Sequence, residues 1–356
     1  MAMVFTLCCY TGQLISDGAD SNWKWRNRPV RLIDGTTIVM PDTSENQQTY
    51  PQLSSQKPGL GFPICRLVGL ICLGSGALLD MAMSAIKGKG NDEQTLLRSM
   101  LDRLNCGDIL LGDAFYATYF LFCSLNQKGV DAVFEQHGSR QLTTDFRRGK
   151  RLGAKDHIIE IVKPKKRPFW MTETDYNQAP ATLQVRECSA GGKILVTTLL
   201  CPKQTSKADL KELYRQRWHV ELDFRNIKTT LGMEMVSCKT PEMVEKKIWV
   251  YLLAYNLVRM LMMQSALLAD LLPRQISFKH TVQLWMAWRQ SNGDQLDDSA
   301  FNGLLLLIAQ NRVGNRTGRI EPRAVKRRPK PIALLMVTRA EARANILKNG
   351  HPKKAK

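Results

Sequence analysis

Residues 212–232 read "ELYRQRWHVELDFRNIKTTLG", a helix-like stretch in which one glutamate, Glu221, stands among arginines, a lysine, a tryptophan, a histidine and a tyrosine. Tyr214, Arg217 and Glu221 are spaced i, i+3, i+7, and Lys228 follows seven residues later. At about 100° per residue, these four side chains share one face of a helix. Val220, Leu222, Phe224 and Ile227 supply apolar contacts on other sides, so the helix can dock on a core. Taken alone, the stretch fits a solvated, ion-paired face. Such a face normally alternates signs at i, i+4. This one sets a single carboxylate between phosphate-type donors, which suits a metal ligand held against a nucleic-acid backbone.

The charge of the whole chain points the same way. Its 356 residues carry a formal net charge of +19, with 44% hydrophobic and 23% charged residues. A soluble chain this basic normally faces a polyanion or a membrane surface. The excess is concentrated: residues 137–170 hold ten Lys/Arg against three Asp/Glu, and residues 311–356 hold fourteen against two. Two discrete basic regions in a folded protein read as a nucleic-acid footprint. Nine cysteines form no CxxC pair and no zinc spacing with the five histidines, so they read as reduced core residues. Met3–Tyr10 lacks the basic flank of a signal peptide. Ile248–Leu257 falls short of the ~20 residues of a membrane span. A cytoplasmic protein without a membrane partner is expected.

Upstream of the opening stretch, "VRLIDGTTIVM" (30–40) has strand composition, with Val30, Leu32, Thr36, Ile38 and Met40 on one face and Asp34 on that same face. Residues 41–63 read as a loop, and 64–86 as a hairpin around residues 73–76. Asn91-Asp92-Glu93 reads as a helix cap with first-turn acids ahead of the Leu96–Leu104 apolar stripe. Ile109-Leu110-Leu111 is a buried type of strand that ends at Asp113, followed by a helix near Tyr116–Gln127 and a strand near Val130–Phe134. Residues 137–205 change to alternating segments cut by Pro, Gly and charge, a β-rich insertion. Ser206 with Asp209 forms a capping box. Thr240-Pro241-Glu242 starts a helix to about Leu268 that is apolar almost all round and expected to be buried.

Ligands of α/β sheets gather where central strands end. Two carboxylates there, with a third on a packing helix, can hold two divalent ions about 4 Å apart for in-line attack on a phosphodiester. Oxygen ligands favour Mg²⁺ or Mn²⁺. Asp34 alone reads equally as a turn former and Asp113 as a helix cap. Asp42 and Asp108 are rival acids, ranked lower because Asp42 follows a proline at the far end of its strand and Asp108 precedes its strand.

Together these residues resemble a family. Tyr214-x2-Arg217-x3-Glu221-x6-Lys228 is similar to the Y-R-E-K signature of bacterial insertion-sequence transposases with a DDE active site. "LIDGTTIVMPDT" and "LLGDAFY" resemble that family's first and second acidic motifs, and the resemblance runs from about Arg28 to Arg343. It implies an α/β fold: an RNase H-like mixed sheet flanked by helices, with the β-rich insertion between the second catalytic Asp and the Glu.

The implied division is a short N-terminal remnant (1–28), the core in two parts (29–136 and 206–310), the insertion (137–205) and a basic tail (311–356). Asp34, Asp113 and Glu221 would be the catalytic metal ligands for two Mg²⁺ or Mn²⁺ ions. Tyr214, Arg217 and Lys228 would grip phosphates of double-stranded DNA at the element ends and target. Trp170, beside Lys165, Lys166 and Arg167, reads either as a platform for an unpaired base or as a hairpin core residue. Trp218 and His219 are expected to point away from the Glu221 face. Paired ends imply a dimer on DNA.

The family usually carries a helical DNA-binding domain ahead of the first acidic motif, and only 33 residues precede Asp34 here. The implied function is cut-and-paste transposition. The alternative is a truncated product that binds DNA without transposing.

Overall fold

The alternation along β1, Val30–Val39, feeds two separate cores. Val30, Leu32 and Ile38, with Met40 beyond the strand, enter one core, and Ile33 enters the other. A computed structural model describes residues 2–293, 297–314 and 336–350 of the chain. Around β1 it builds a nine-stranded sheet in the order β3-β2-β1-β4-β5-β9-β8-β7-β6.

The hairpin strands β2 (Ile64–Cys72) and β3 (Leu78–Ala85) pair antiparallel on one side of β1. On its other side β4 (Ile109–Gly112) and then β5 (Asp131–Glu135) run parallel to it. Three antiparallel strands followed by two parallel ones, with helices on both faces, make the RNase H-like arrangement expected from the motifs. The insertion contributes β6 (Lys150–Gly153), β7 (Asp156–Val162), β8 (Thr182–Ala190) and β9 (Lys193–Thr197). It extends the core sheet, because β9 pairs antiparallel with β5. Inside it Arg186 is fully buried against Asp156, with contacts of 2.8 and 2.6 Å.

One face of the sheet is covered by the signature region and the long helix α9, Pro241–Leu268. The other is covered by α3 (Glu93–Ser99) and α4 (Tyr119–Gln127). The first 28 residues, expected as a short piece ahead of the core, contribute to it a helix, α1 (Ala2–Asp17), that packs on α9 and β3. The fit is close: a Cβ on Gly12 would stand 1.9 Å from the carbonyl oxygen of Leu78. The buried Asn256 side chain of α9 donates to the carbonyls of Cys8 (3.0 Å) and Leu78 (2.8 Å), tying the three elements together.

Several local expectations change. The 41–63 loop contains a short helix, α2 (Ser44–Thr49), capped by Thr43. The helix after Asp113 starts at Tyr119, because a 3₁₀ turn, Ala114–Tyr116, comes first. Helix α9 is long and apolar enough to cross a membrane by length and composition, and it is only partly buried here. Val244, Ile248, Leu252 and Tyr255 face the core, whereas Val250 and Leu257 are exposed, since only the sides met by neighbouring elements are covered. Within the basic tail, Arg339–Asn349 forms a capped helix, and the "RIEPRAVKRRPKP" segment lies outside the described residues.

The signature region is a series of short helical pieces, corrected from one continuous helix: α5 (Gly138–Gln141) and α6 (Glu173–Gln178) in the insertion precede α7 (Lys207–Arg215), a 3₁₀ turn (Gln216–Trp218), α8 (His219–Arg225) and a π turn (Asn226–Thr230). The π turn is closed by the Leu231 N–H donating to the Asn226 carbonyl, five residues back.

A buried ionic knot fixes the rear of α8. Asp223, fully buried, accepts through Oδ1 from Arg259 of α9 and from Arg274 at 2.8 Å, and Arg259 also donates to the Tyr255 hydroxyl at 2.9 Å. Removing one partner from such a cluster leaves charge buried without compensation. Arg259→Ala is therefore expected to lower unfolding free energy by about 3–5 kcal/mol, measured by denaturant titration. A loss within experimental scatter of zero would show that the knot does not hold the helix.

Candidate active site

The parallel register of β1 and β4 brings the first two acids level. Leu32 lies opposite Leu111 in the last pair of the ladder, and Asp34 and Asp113 each follow two residues beyond it, Asp113 just past the end of β4. Neighbouring strands are about 4.8 Å apart. Since Leu32 and Leu111 both enter the core beneath α8, the alternation turns Asp34 and Asp113 toward that same face. Asp113 ends β4 and caps the following 3₁₀ turn, accepting from the Phe115 N–H at 2.8 Å. Asp34 accepts from the Gly35 N–H at 2.8 Å.

Glu221 reaches Asp34, which lies in the middle of β1 and not at the strand end expected from the sequence, through Arg217. The guanidinium donates to Asp34 Oδ2 at 3.1 Å and to Glu221 Oε1 at 2.8 Å. All three side chains are largely shielded from solvent, at 16% exposure for Arg217, 18% for Asp34 and 35% for Glu221. Burial pushes the Asp34 carboxyl above its ordinary range, helped by the charges of Asp113 and Glu221 and opposed by the Gly35 N–H and Arg217. For Arg217, burial is outweighed by the Glu221 hydrogen bond and the charges of Tyr214 and Asp34, so its affinity for its proton rises.

The other signature residues line the same strand. Lys228 donates to the Thr37 carbonyl at 3.0 Å and lies 3.4 Å from Thr36 Oγ1 on β1. Tyr214 is buried and donates to Glu135 Oε2 at 3.3 Å. The same Glu135 oxygen pairs with Lys193 at 2.6 Å. Burial, with Glu135 and Asp113 nearby, raises the Tyr214 phenol strongly, so it stays protonated.

The other candidates separate from this cluster. Asp108 is buried and accepts from Arg31 Nε at 3.1 Å. Asp42 pairs with Arg339 at 2.8 Å. Both rivals are thus engaged in structural ion pairs. Trp170 packs on the opposite sheet face from α8, edge-on to Phe120, with the Arg98 guanidinium 3.8 Å over its ring. Beside it Lys165, Lys166 and Arg167 are exposed. Trp218 is 57% exposed and borders a cavity of about 270 Å³ that it shares with Tyr214, Arg217, Lys193 and Lys211. His219 turns to the Asp223 side, where burial and the Arg274 charge press its pKa down to about 4.

One carboxylate beside the cluster was read in the sequence only as a first-turn helix acid. Glu93 lies against Gly35 and accepts from the Tyr116 hydroxyl at 3.2 Å. Burial raises it, with Asp34 and Asp113 adding to the effect and the Tyr116 bond and the Arg66 charge opposing it. Local sequence carries no signal for this placement, which arises from three separate chain segments meeting.

Among the described residues, no three His, Cys, Asp or Glu side chains stand close enough to form a ready-made metal cage. The donor set nonetheless fits hard divalent cations. Its acids are carboxylates, and two of them already converge on one cation, the Arg217 guanidinium.

Residues 25–257 match the family model described as "Transposase DDE domain". Over 326 residues the chain is 27% identical to the transposase InsG of insertion sequence element IS4 from Escherichia coli K12, spanning 86% of this chain and 69% of that protein. It is 32% identical over 108 residues to the putative transposase InsZ of the same organism, 30% of this chain and 35% of that one. A solved structure that it resembles is the piggyBac transposase synaptic complex with hairpin DNA. There the TM-score is 0.42 at 8% identity, over 79% of this chain and about half, 52%, of that one. The chain belongs to the DDE-domain transposases of bacterial insertion sequences.

Proposed function

We propose that this chain carries out metal-dependent strand cleavage followed by strand transfer at the ends of its insertion sequence, by a cut-and-paste route. The observation that carries the reading is the convergence of Asp34 from β1 and Glu221 from α8 on one guanidinium, with Asp113 level with Asp34 on the neighbouring strand. Asp34, Asp113 and Glu221 would hold two Mg²⁺ or Mn²⁺ ions. Bound there, such ions lower the pKa of an attacking water or 3′-hydroxyl and stabilise the leaving oxygen.

The chain's own residues do the rest. Without divalent ions, Arg217 neutralises Asp34 and Glu221 and keeps α8 seated on β1. Once the acids are otherwise neutralised, the same guanidinium is free to take a phosphate in a bidentate contact. Lys228, next to β1, supplies a second cation on that path. Tyr214 acts as a hydroxyl donor to the backbone, in keeping with its protonated state, and a nucleophilic role is disfavoured for the same reason. The exposed Lys165, Lys166 and Arg167 would extend the footprint along double-stranded DNA, with Trp170 beside them as a candidate base platform.

Two measurements test this. Purified protein is incubated with Mg²⁺ and duplex DNA carrying the repeats that flank its coding sequence. Asp34→Asn, Asp113→Asn and Glu221→Gln should each cut nicking by roughly 10³-fold or more while retaining DNA binding. Wild type nicking no better than Glu221→Gln would end the enzyme reading, and retained binding would then favour the non-transposing DNA-binding product. The second concerns Arg217. Arg217→Gln frees two carboxylates, so Mn²⁺ affinity measured by calorimetry should rise by roughly tenfold, about 1.4 kcal/mol, while affinity for the DNA ends falls. An unchanged Mn²⁺ affinity would contradict the exchange of guanidinium for metal.

A further inference from the structure

Glu93 supplies a carboxylate that the chemistry above leaves unused. It opens α3, one residue after the Asp92 cap. An ordinary first-turn acid stays at the helix end in solvent, where it contributes a few tenths of a kcal/mol. This one lies against β1 instead: a Cβ on Gly35 would stand 2.4 Å from its Oε1 and 2.9 Å from its Oε2.

Tyr116, three residues beyond Asp113, donates its hydroxyl to Glu93 Oε2 at 3.2 Å. That tyrosine is fully buried and has its own glycine: a Cβ on Gly112 would stand 2.8 Å from Tyr116 Cδ2. Each of the two strand acids thus has a glycine as sequence neighbour, Gly35 after Asp34 and Gly112 before Asp113. The space left by one admits the Glu93 carboxylate, and the space left by the other admits the tyrosine that orients it. Arg66 Nε pairs with Glu93 Oε1 at 3.9 Å, an ion pair too long for a hydrogen bond.

Glu93 comes from the α3 face of the sheet, opposite α8, and reaches β1 just beyond the point where its pairing with β4 ends; a third negative group brought there within the field of Asp34 and Asp113 is unfavourable unless a cation offsets it. Small divalent ions held by carboxylates keep several of their waters. Carboxylates that accept hydrogen bonds from such a shell orient it and strengthen binding. Resting on the metal-dependent reading, we propose that Glu93 is a positioning residue for the ion held between Asp34 and Asp113. It accepts from that ion's water shell, and Tyr116 fixes the carboxylate's direction.

The test is Mn²⁺ calorimetry on the full chain without DNA, run below the thermal midpoint of every variant so that loss of fold does not enter. Glu93→Gln should weaken one Mn²⁺ binding event by roughly 10–100-fold, and Tyr116→Phe by less, with the metal-free midpoint of Glu93→Gln unchanged or raised. Asp34→Asn serves as the reference. If Asp34→Asn loses Mn²⁺ and Glu93→Gln binds like wild type, the Glu93 role is overturned and the metal site stands. If both bind like wild type, the metal-dependent reading itself falls. A lower metal-free midpoint for Glu93→Gln with unchanged Mn²⁺ affinity marks a purely structural glutamate and also overturns the role.

Discussion

Arg217 is the contact on which the rest of the site depends. At about 3 Å and an effective dielectric near 20, each of its two carboxylate contacts is worth roughly 5 kcal/mol of Coulomb attraction before desolvation is subtracted. Those contacts join the middle of β1 to a residue 183 positions away in sequence. The rear of that helix is held by Asp223 between Arg259 and Arg274. Its front is held by Arg217, and Lys228 ties the π turn to Thr37. The acid-bearing helix is therefore clamped by charge on two sides.

The second constraint is backbone register. A parallel pair cannot slip by one residue without moving its side chains to the other face. The Leu32–Leu111 pairing sets Asp34 and Asp113 level and on the same face as α8. Under the proposed function, chemistry that needs several carboxylates in one place would draw them from two rigid strands and a clamped helix. The mutual repulsion of Asp34 and Glu221 is balanced by the guanidinium between them.

Much of this was legible in the sequence, for identifiable reasons. Strand alternation with Asp34 on the apolar face, the short buried strand ending at Asp113, and the i, i+3, i+7 spacing around Glu221 are local patterns with fixed geometric meaning. What stayed hidden was non-local or depended on helix irregularity. Single-residue spacing presumes an unbroken α-helix, so the 3₁₀ and π turns flanking α8 were invisible. Glu93 satisfied a capping pattern completely, which concealed its second placement against Gly35. The docking of α1 carries no local signal either, since it rests on Gly12 and Cys8 fitting the helix to β3 and α9. Composition made α9 look buried all round, since apolar content does not tell which sides neighbours will cover.

The claim that three sequence-distant acids share one ion site is tested most directly by replacing Mg²⁺ with Fe²⁺ and generating hydroxyl radicals with ascorbate and peroxide. Radicals cut the backbone next to the bound iron. The account predicts cleavage clustered near residues 34, 113 and 221 together, suppressed by excess Mg²⁺. Cuts at only one of these positions, or elsewhere in the chain, would contradict it.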